Sequence, residues 1–137
     1  MTLNKKEESL IRNRNLVKQV VDFTGVQNGK LHPSDIDFVL EFDNKVLILG
    51  EVKHKYTRIP TGQKLILERI VDSWGQGGIA IKVEHEFNDE NINIPLHFCN
   101  VTARYYKGDW KYFKEPIMII DYLNKIGRVL ECEKCKF

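Results

Sequence analysis

An α/β fold, a mixed β-sheet flanked by helices, is what this sequence predicts, and three observations carry it. Residues 35–53 hold two short runs with strand alternation around the turn residues Asp43 and Asn44, which makes a β-hairpin. A helical apolar stripe follows at about Thr61 to Trp74, then Gly75-Gln76-Gly77-Gly78, then the apolar run Ile79 to Val83. Strand, helix and strand with short links imply a crossover and parallel pairing. The 137 residues favour one domain, 1–137, large enough for a real core.

The elements follow in chain order. Residues 5–23 read as a helix, with Leu10, Ile11, Val17, Val20 and Val21 near helical spacing. Lys5, Lys6, Arg12, Arg14 and Lys18 make it basic, which suits either a phosphate backbone or water. Thr24 to Pro33 is a loop whose Gly25, Asn28 and Gly29 permit tight turns, with Lys30 and His32 within reach of a ligand. Residues 95–113 read as a second hairpin turning at Lys107-Gly108-Asp109. Its Arg104, Tyr105, Tyr106, Trp110, Lys111 and Tyr112 suit a stacking platform, or sheet packing, which is the favoured reading. A last helix is expected to start at Glu115-Pro116, bury Ile117, Ile120, Leu123 and Ile126, and end at Gly127. Residues 128–137 are expected to trail as a mobile tail. Its Cys132 and Cys135 form half a zinc motif that His97 and Cys99 would have to complete, so free thiols are the favoured reading.

Composition excludes little. The net charge of +2 does not by itself argue for a nucleic-acid partner. No apolar run is long enough to span a membrane, and MTLNKKEES lacks a signal peptide's apolar core, so no membrane partner is expected. Three cysteines do not make an even disulfide set, which suits a reducing cytoplasm.

Function concentrates in the first hairpin. Ile36, Phe38, Leu40 and Phe42 alternate on one face, with Asp35, Asp37, Val39 and Glu41 on the other. A two-residue turn would split the acids between faces. A three-residue turn, Asp43-Asn44-Lys45, pairs Phe42 with Val46. It sets Asp37 opposite Glu51 and Asp35 opposite Lys53, all on one face, and it is the register expected. Opposed acids repel. That cost vanishes if a divalent ion sits between them, and hard oxygen ligands select Mg²⁺ or Mn²⁺. Solvated strand-end charges are the ordinary alternative. The apolar run Val46 to Leu49 leading straight into Glu51-Val52-Lys53 argues against it, since a charged triplet ending a buried strand is where sites tend to lie.

The order Pro33-Ser34-Asp35-Ile36-Asp37, hairpin, then Glu51-Val52-Lys53 resembles the PD-(D/E)XK nuclease superfamily. The helix opened by Pro60-Thr61-Gly62-Gln63 is similar to one carrying a glutamine in the virus-type replication-repair and Holliday-junction-resolvase-like branches, and in small phage proteins. The likeness covers roughly residues 5–115. Here Ser34 separates the proline from the acid, so Asp35 or Asp37 could be the first acid. The register favours Asp37 and leaves Asp35 an accessory neighbour. The resemblance implies a restriction-endonuclease-like core and Mg²⁺-dependent endonucleolytic hydrolysis of DNA phosphodiester bonds, including structure-specific cutting of junctions or flaps in phage replication, recombination or repair. It implies Asp37 and Glu51 as metal ligands, Lys53 as the group that positions water, and Gln63 in support. Glu7 of the first helix, with Glu8 second, is the candidate third acid, against an equally good reading as an exposed first-turn acid. Lys30, His54, Lys55, Tyr56, Arg58 and Lys64 would contact DNA, while Lys64, Glu68 and Arg69 otherwise read as an exposed helix face. Resolvases of this kind act as dimers, with the second hairpin and last helix as candidate interfaces. A phage protein would work in the host cytoplasm. The alternatives are a catalytically inactive nucleic-acid-binding protein of the same fold and an enzyme acting on RNA or branched DNA.

Overall fold

The computed structural model describes residues 21–31 and 33–137. The expected first helix up to residue 20, with Glu7, Glu8 and most of its basic residues, lies outside the described residues, as does His32. The chain divides into two compact units, Met1–Ser34 and Asp35–Phe137. In the first, residues 21–23 are not helical, and Asn28 and Leu31 exchange two backbone hydrogen bonds of 2.9 Å around Gly29 and Lys30.

The second unit is α/β, a mixed five-stranded sheet with a helix on each face. Its strands are β1 (Phe38–Phe42), β2 (Val46–His54), β3 (Gly78–His85), β4 (Asn100–Tyr106) and β5 (Asp109–Met118), and they lie in that order. β2 and β3 are parallel, and the other neighbours are antiparallel. The parallel pair needs a crossover, and α1 (Thr61–Trp74) supplies it as expected.

The two faces have separate cores. Leu67 and Val71 of α1 pack on Leu47, Leu49, Ala80 and Tyr105. On the other face, Ile119, Tyr122, Leu123 and Ile126 of α2 (Ile119–Val129) pack on Val46, Ile48, Ile79, Ile81 and Val83. Covering on both sides is why Val46 to Leu49 is an unbroken apolar run rather than an alternating one. Phe38, Leu40 and Phe42 join the α2 side, and the Phe38 ring fills the place a side chain at Gly50 would occupy. Ile36, expected beside them, instead joins the α1 side, because the chain leaves strand geometry before Phe38.

Three expectations need correction at the C-terminal end. The last helix does not begin at Pro116. β5 runs to Met118, and Pro116 lies where its ladder with β4 slips: between the pairs Ala103–Tyr112 and Val101–Ile117, β5 takes five steps against two on β4. An edge strand tolerates proline at such a bulge. The helix therefore starts later, and Ile119 and Tyr122, not Ile117 and Ile120, complete its buried stripe. Gly127 does not end it. That glycine is buried inside α2, where a Cβ would run into the backbone of Cys135. The tail is docked rather than trailing: Asn124 and Phe137 exchange hydrogen bonds of 2.7 and 3.2 Å, and the buried Cys135 thiol donates to the Leu123 carbonyl at 3.2 Å. Gly127→Ala should accordingly destabilise the protein by about 1–3 kcal/mol, as overpacking does, which urea unfolding would read; an unchanged midpoint would remove the close contact from the account.

Candidate active site

The first hairpin has the expected register. Phe42 pairs with Val46 and Phe38 with Gly50. Asp43 and Asn44 both take left-handed backbone (φ 50° and 61°), and the Lys45 N–H closes the turn on the Phe42 carbonyl at 2.8 Å. Lys45 is then the extra residue that moves the ladder by one. The ladder ends at Phe38–Gly50, so the expected pairing of Asp35 with Lys53 lies beyond it; Asp37 still comes to Glu51, and its carboxylate accepts the Val52 N–H at 2.7 Å.

Glu51 is the one charged residue fully buried among the described residues, at 2% exposure. It sits in the middle of the sheet. Burial pushes its carboxyl above the usual range, the charge of Asp37 pushes it further, and Lys53 pulls it back. The Lys53 ammonium lies 3.3 Å from Glu51 Oε2 and donates to Gln63 Oε1 at 3.3 Å. Gln63 reaches it because α1 begins at Thr61 and its first turn stands over the end of β2. Four of the expected residues, Asp37, Glu51, Lys53 and Gln63, are thus assembled into one chain of contacts. Asp35 is exposed.

The basic residues are less uniform than expected. Lys55 is ion-paired with Glu86, and His54 shares a 2.8 Å hydrogen bond with Asn88 while packing edge-on against His85. Tyr56 is 83% exposed on a left-handed turn. Lys30 belongs to the first unit. Lys64 and Glu68 are not an exposed face: both are half-buried against β5, Lys64 with its ammonium 5.3 Å from the Trp110 ring and Glu68 accepting the indole N–H at 3.0 Å. Only Arg69 of that trio is exposed.

One cation was missed in the sequence. Lys82 of β3 pairs with Glu51 of β2 and with Ala103 of β4, and Ala103 pairs with Tyr112 of β5. Paired residues share a face, so Glu51, Lys82, Ala103 and Tyr112 form one row from β2 to β5, on the α1 side. The signal was present. Lys82 is the lone charge inside Ile79 to Val83, and strand alternation places it with Ala80 and Glu84. Its ammonium is 2.8 Å from Glu84 Oε2. Burial opposes ionisation of Glu84, but hydrogen bonds from Lys82, the Tyr56 N–H and Thr102 hold its carboxyl below the usual range.

Among the described residues no group of three or more His, Cys, Asp or Glu could hold a metal ion. The Asp37–Glu51 pair still fits magnesium. That ion keeps several waters and is held through one or two carboxylates plus phosphate oxygens. Burial first and then the Asp37 charge disfavour the ionised form of Glu51, and a cation between the two carboxylates would offset both. No helix among the described residues is long and apolar enough to cross a membrane. Comparison with protein-family models, with curated proteins and with solved structures finds no match for this chain. Fold and site together define an α/β protein with a carboxylate pair, a lysine and a glutamine gathered at the end of a buried strand.

Proposed function

We propose that this protein is a metal-dependent nuclease that hydrolyses DNA phosphodiester bonds, working in the cytoplasm. The observation that carries the reading is Glu51: a buried carboxylate facing a second acid and tied through Lys53 to Gln63. Such a group costs stability and has no packing role that a Gln or Leu would not serve better.

Asp37 and Glu51 would hold Mg²⁺ or Mn²⁺. The bound ion supplies a water of lowered pKa and offsets charge on the phosphate. The remaining work belongs to the chain. The Val52 N–H fixes one Asp37 oxygen and leaves the other for coordination. Lys53 has three N–H donors, of which Glu51 and Gln63 engage two. The third is left for a phosphate oxygen or the attacking water, with the ammonium aimed by its two partners. Gln63 is a positioning residue acting through Lys53. Arg58, Lys64 and Lys82 supply positive charge on the same side of the sheet for the flanking backbone.

Cleavage of labelled linear duplex, single strand, flap and four-way junction DNA with Mg²⁺ or Mn²⁺ tests this, beside Lys53→Ala. Cutting by the parent that Lys53→Ala reduces about 100-fold or more is the expected result. Binding of these DNAs without cutting in either metal would overturn it in favour of a binding protein of the same fold.

A further inference from the structure

On the same sheet face a cavity of about 350 Å³ is lined by Arg58, Ile59, Lys64, Lys82, Trp110 and Tyr112. We infer that this cavity is a subsite for an unpaired nucleotide, with the base stacked on Tyr112 and its phosphate held by Arg58, Lys64 and Lys82, so that the substrate is single-stranded at that position. That the bound strand is the enzyme's substrate rests on the nuclease reading; the binding chemistry stands on its own residues.

Charge and shape both select this occupant. Three cations face the cavity, and the acids against them are Glu84, which pairs with Lys82, and Glu68, which takes the Trp110 N–H. Arg58 and Lys64 form no ion pair among the described residues. The Lys64 ammonium is held instead by aromatic groups: it donates to the Tyr112 hydroxyl at 3.3 Å and lies 5.3 and 5.9 Å from the Trp110 and Tyr112 ring centres. An anion is the better partner for both cations.

The rings are placed differently from core aromatics. Trp110 is fixed by Glu68 and by contact with Tyr105, ring centres 5.5 Å apart. Tyr112 stacks beside it, centres 6.2 Å apart and planes 25° apart, yet is 63% exposed. Here a flat surface is presented to solvent next to Arg58 and Lys64, which suits base stacking with phosphate contact. A duplex keeps its base faces stacked inside and offers none to the ring. Place in the row fits too: Tyr112 is three strands from Glu51, about 14 Å at ~4.8 Å per strand, with Lys82 and the buried Ala103 between them.

The test uses the full chain in EDTA, so that binding is separated from cleavage. The chain has two tryptophans, and Trp74→Phe leaves Trp110 as the reporter. A short oligothymidylate should quench Trp110 fluorescence, and a blunt duplex should not. Tyr112→Ala should weaken oligothymidylate binding about five-fold or more, and Tyr112→Phe should restore it. Equal quenching by duplex and single strand, or unchanged affinity in Tyr112→Ala, would overturn the subsite. The two readings fail separately. Oligothymidylate binding that depends on Tyr112, with no metal-dependent cutting, sinks the nuclease and keeps the subsite. Cutting that depends on Glu51, with no effect of Tyr112→Ala on single-strand binding, does the reverse.

Discussion

Glu51→Gln should lower metal-dependent DNA cleavage on the order of a thousand-fold while the protein stays folded. The substitution keeps the shape and leaves an amide oxygen for Lys53, so the 3.3 Å contact survives as a hydrogen bond. It removes the charge. Without it, Asp37 alone faces the ion, and neutralisation of the phosphate in the transition state falls away; losses of one such electrostatic partner run to about 10²–10³-fold. Single-strand binding should stay at the parental level, since the cationic cavity does not include Glu51. Gln63→Ala should cost less, about ten-fold, because Lys53 keeps its Glu51 partner. Rates under single-turnover conditions, with a circular dichroism spectrum for each protein, check this. A Glu51→Gln protein that cuts at the parental rate would end the assignment of the site.

The site was legible in the sequence because strand alternation is an arithmetic constraint. Once the turn is taken as Asp43-Asn44-Lys45, Phe42 must meet Val46 and Phe38 must meet Gly50, which delivers Asp37 to the neighbourhood of Glu51 just past the end of the ladder. The Gln63–Lys53 contact needed more. Periodicity places Gln63 on the inner stripe of α1, but only the short link after β2 sets the first turn of that helix over Lys53.

What stayed hidden depends on pairing between distant strands. The row from Glu51 through Lys82 to Tyr112 needs the β2–β3, β3–β4 and β4–β5 registers together, and the last two carry slips. Pro116 was read by its local preference for a helix start. The tertiary answer was an edge-strand bulge, which uses the same missing N–H. Gly127 was read as a helix stop for the same reason, whereas its role is to let the Cys135 backbone lie against α2. Local signals of this kind name a conformational liberty without naming which neighbour uses it.

The metal-free protein should lose stability as pH rises, and magnesium should cancel that loss. Glu51 has its folded-state carboxyl pKa raised above the ordinary 4.5, first by burial and then by Asp37. Between the unfolded and folded values the native state therefore binds more protons than the unfolded chain. Stability from this group is complete below about 4.5, falls as pH climbs through the folded-state value, and is flat above it. A cation between the carboxylates favours their ionised forms. Saturating Mg²⁺ should raise the melting temperature most at neutral pH, and its binding should release protons within that window. Asp37→Asn separates the causes. The amide oxygen can still accept the Val52 N–H, which is exposed and loses little by the change, while the like charge on Glu51 disappears. The variant should gain about 0.2–1 kcal/mol without metal at neutral pH, the size of a like-charge cross-strand pair, and lose the Mg²⁺-induced rise. Thermal melts across pH, with and without Mg²⁺, read all three quantities. A destabilised Asp37→Asn protein that still gains the parental Mg²⁺ increment would mean that Asp37 is a structural acid and that no ion sits between it and Glu51.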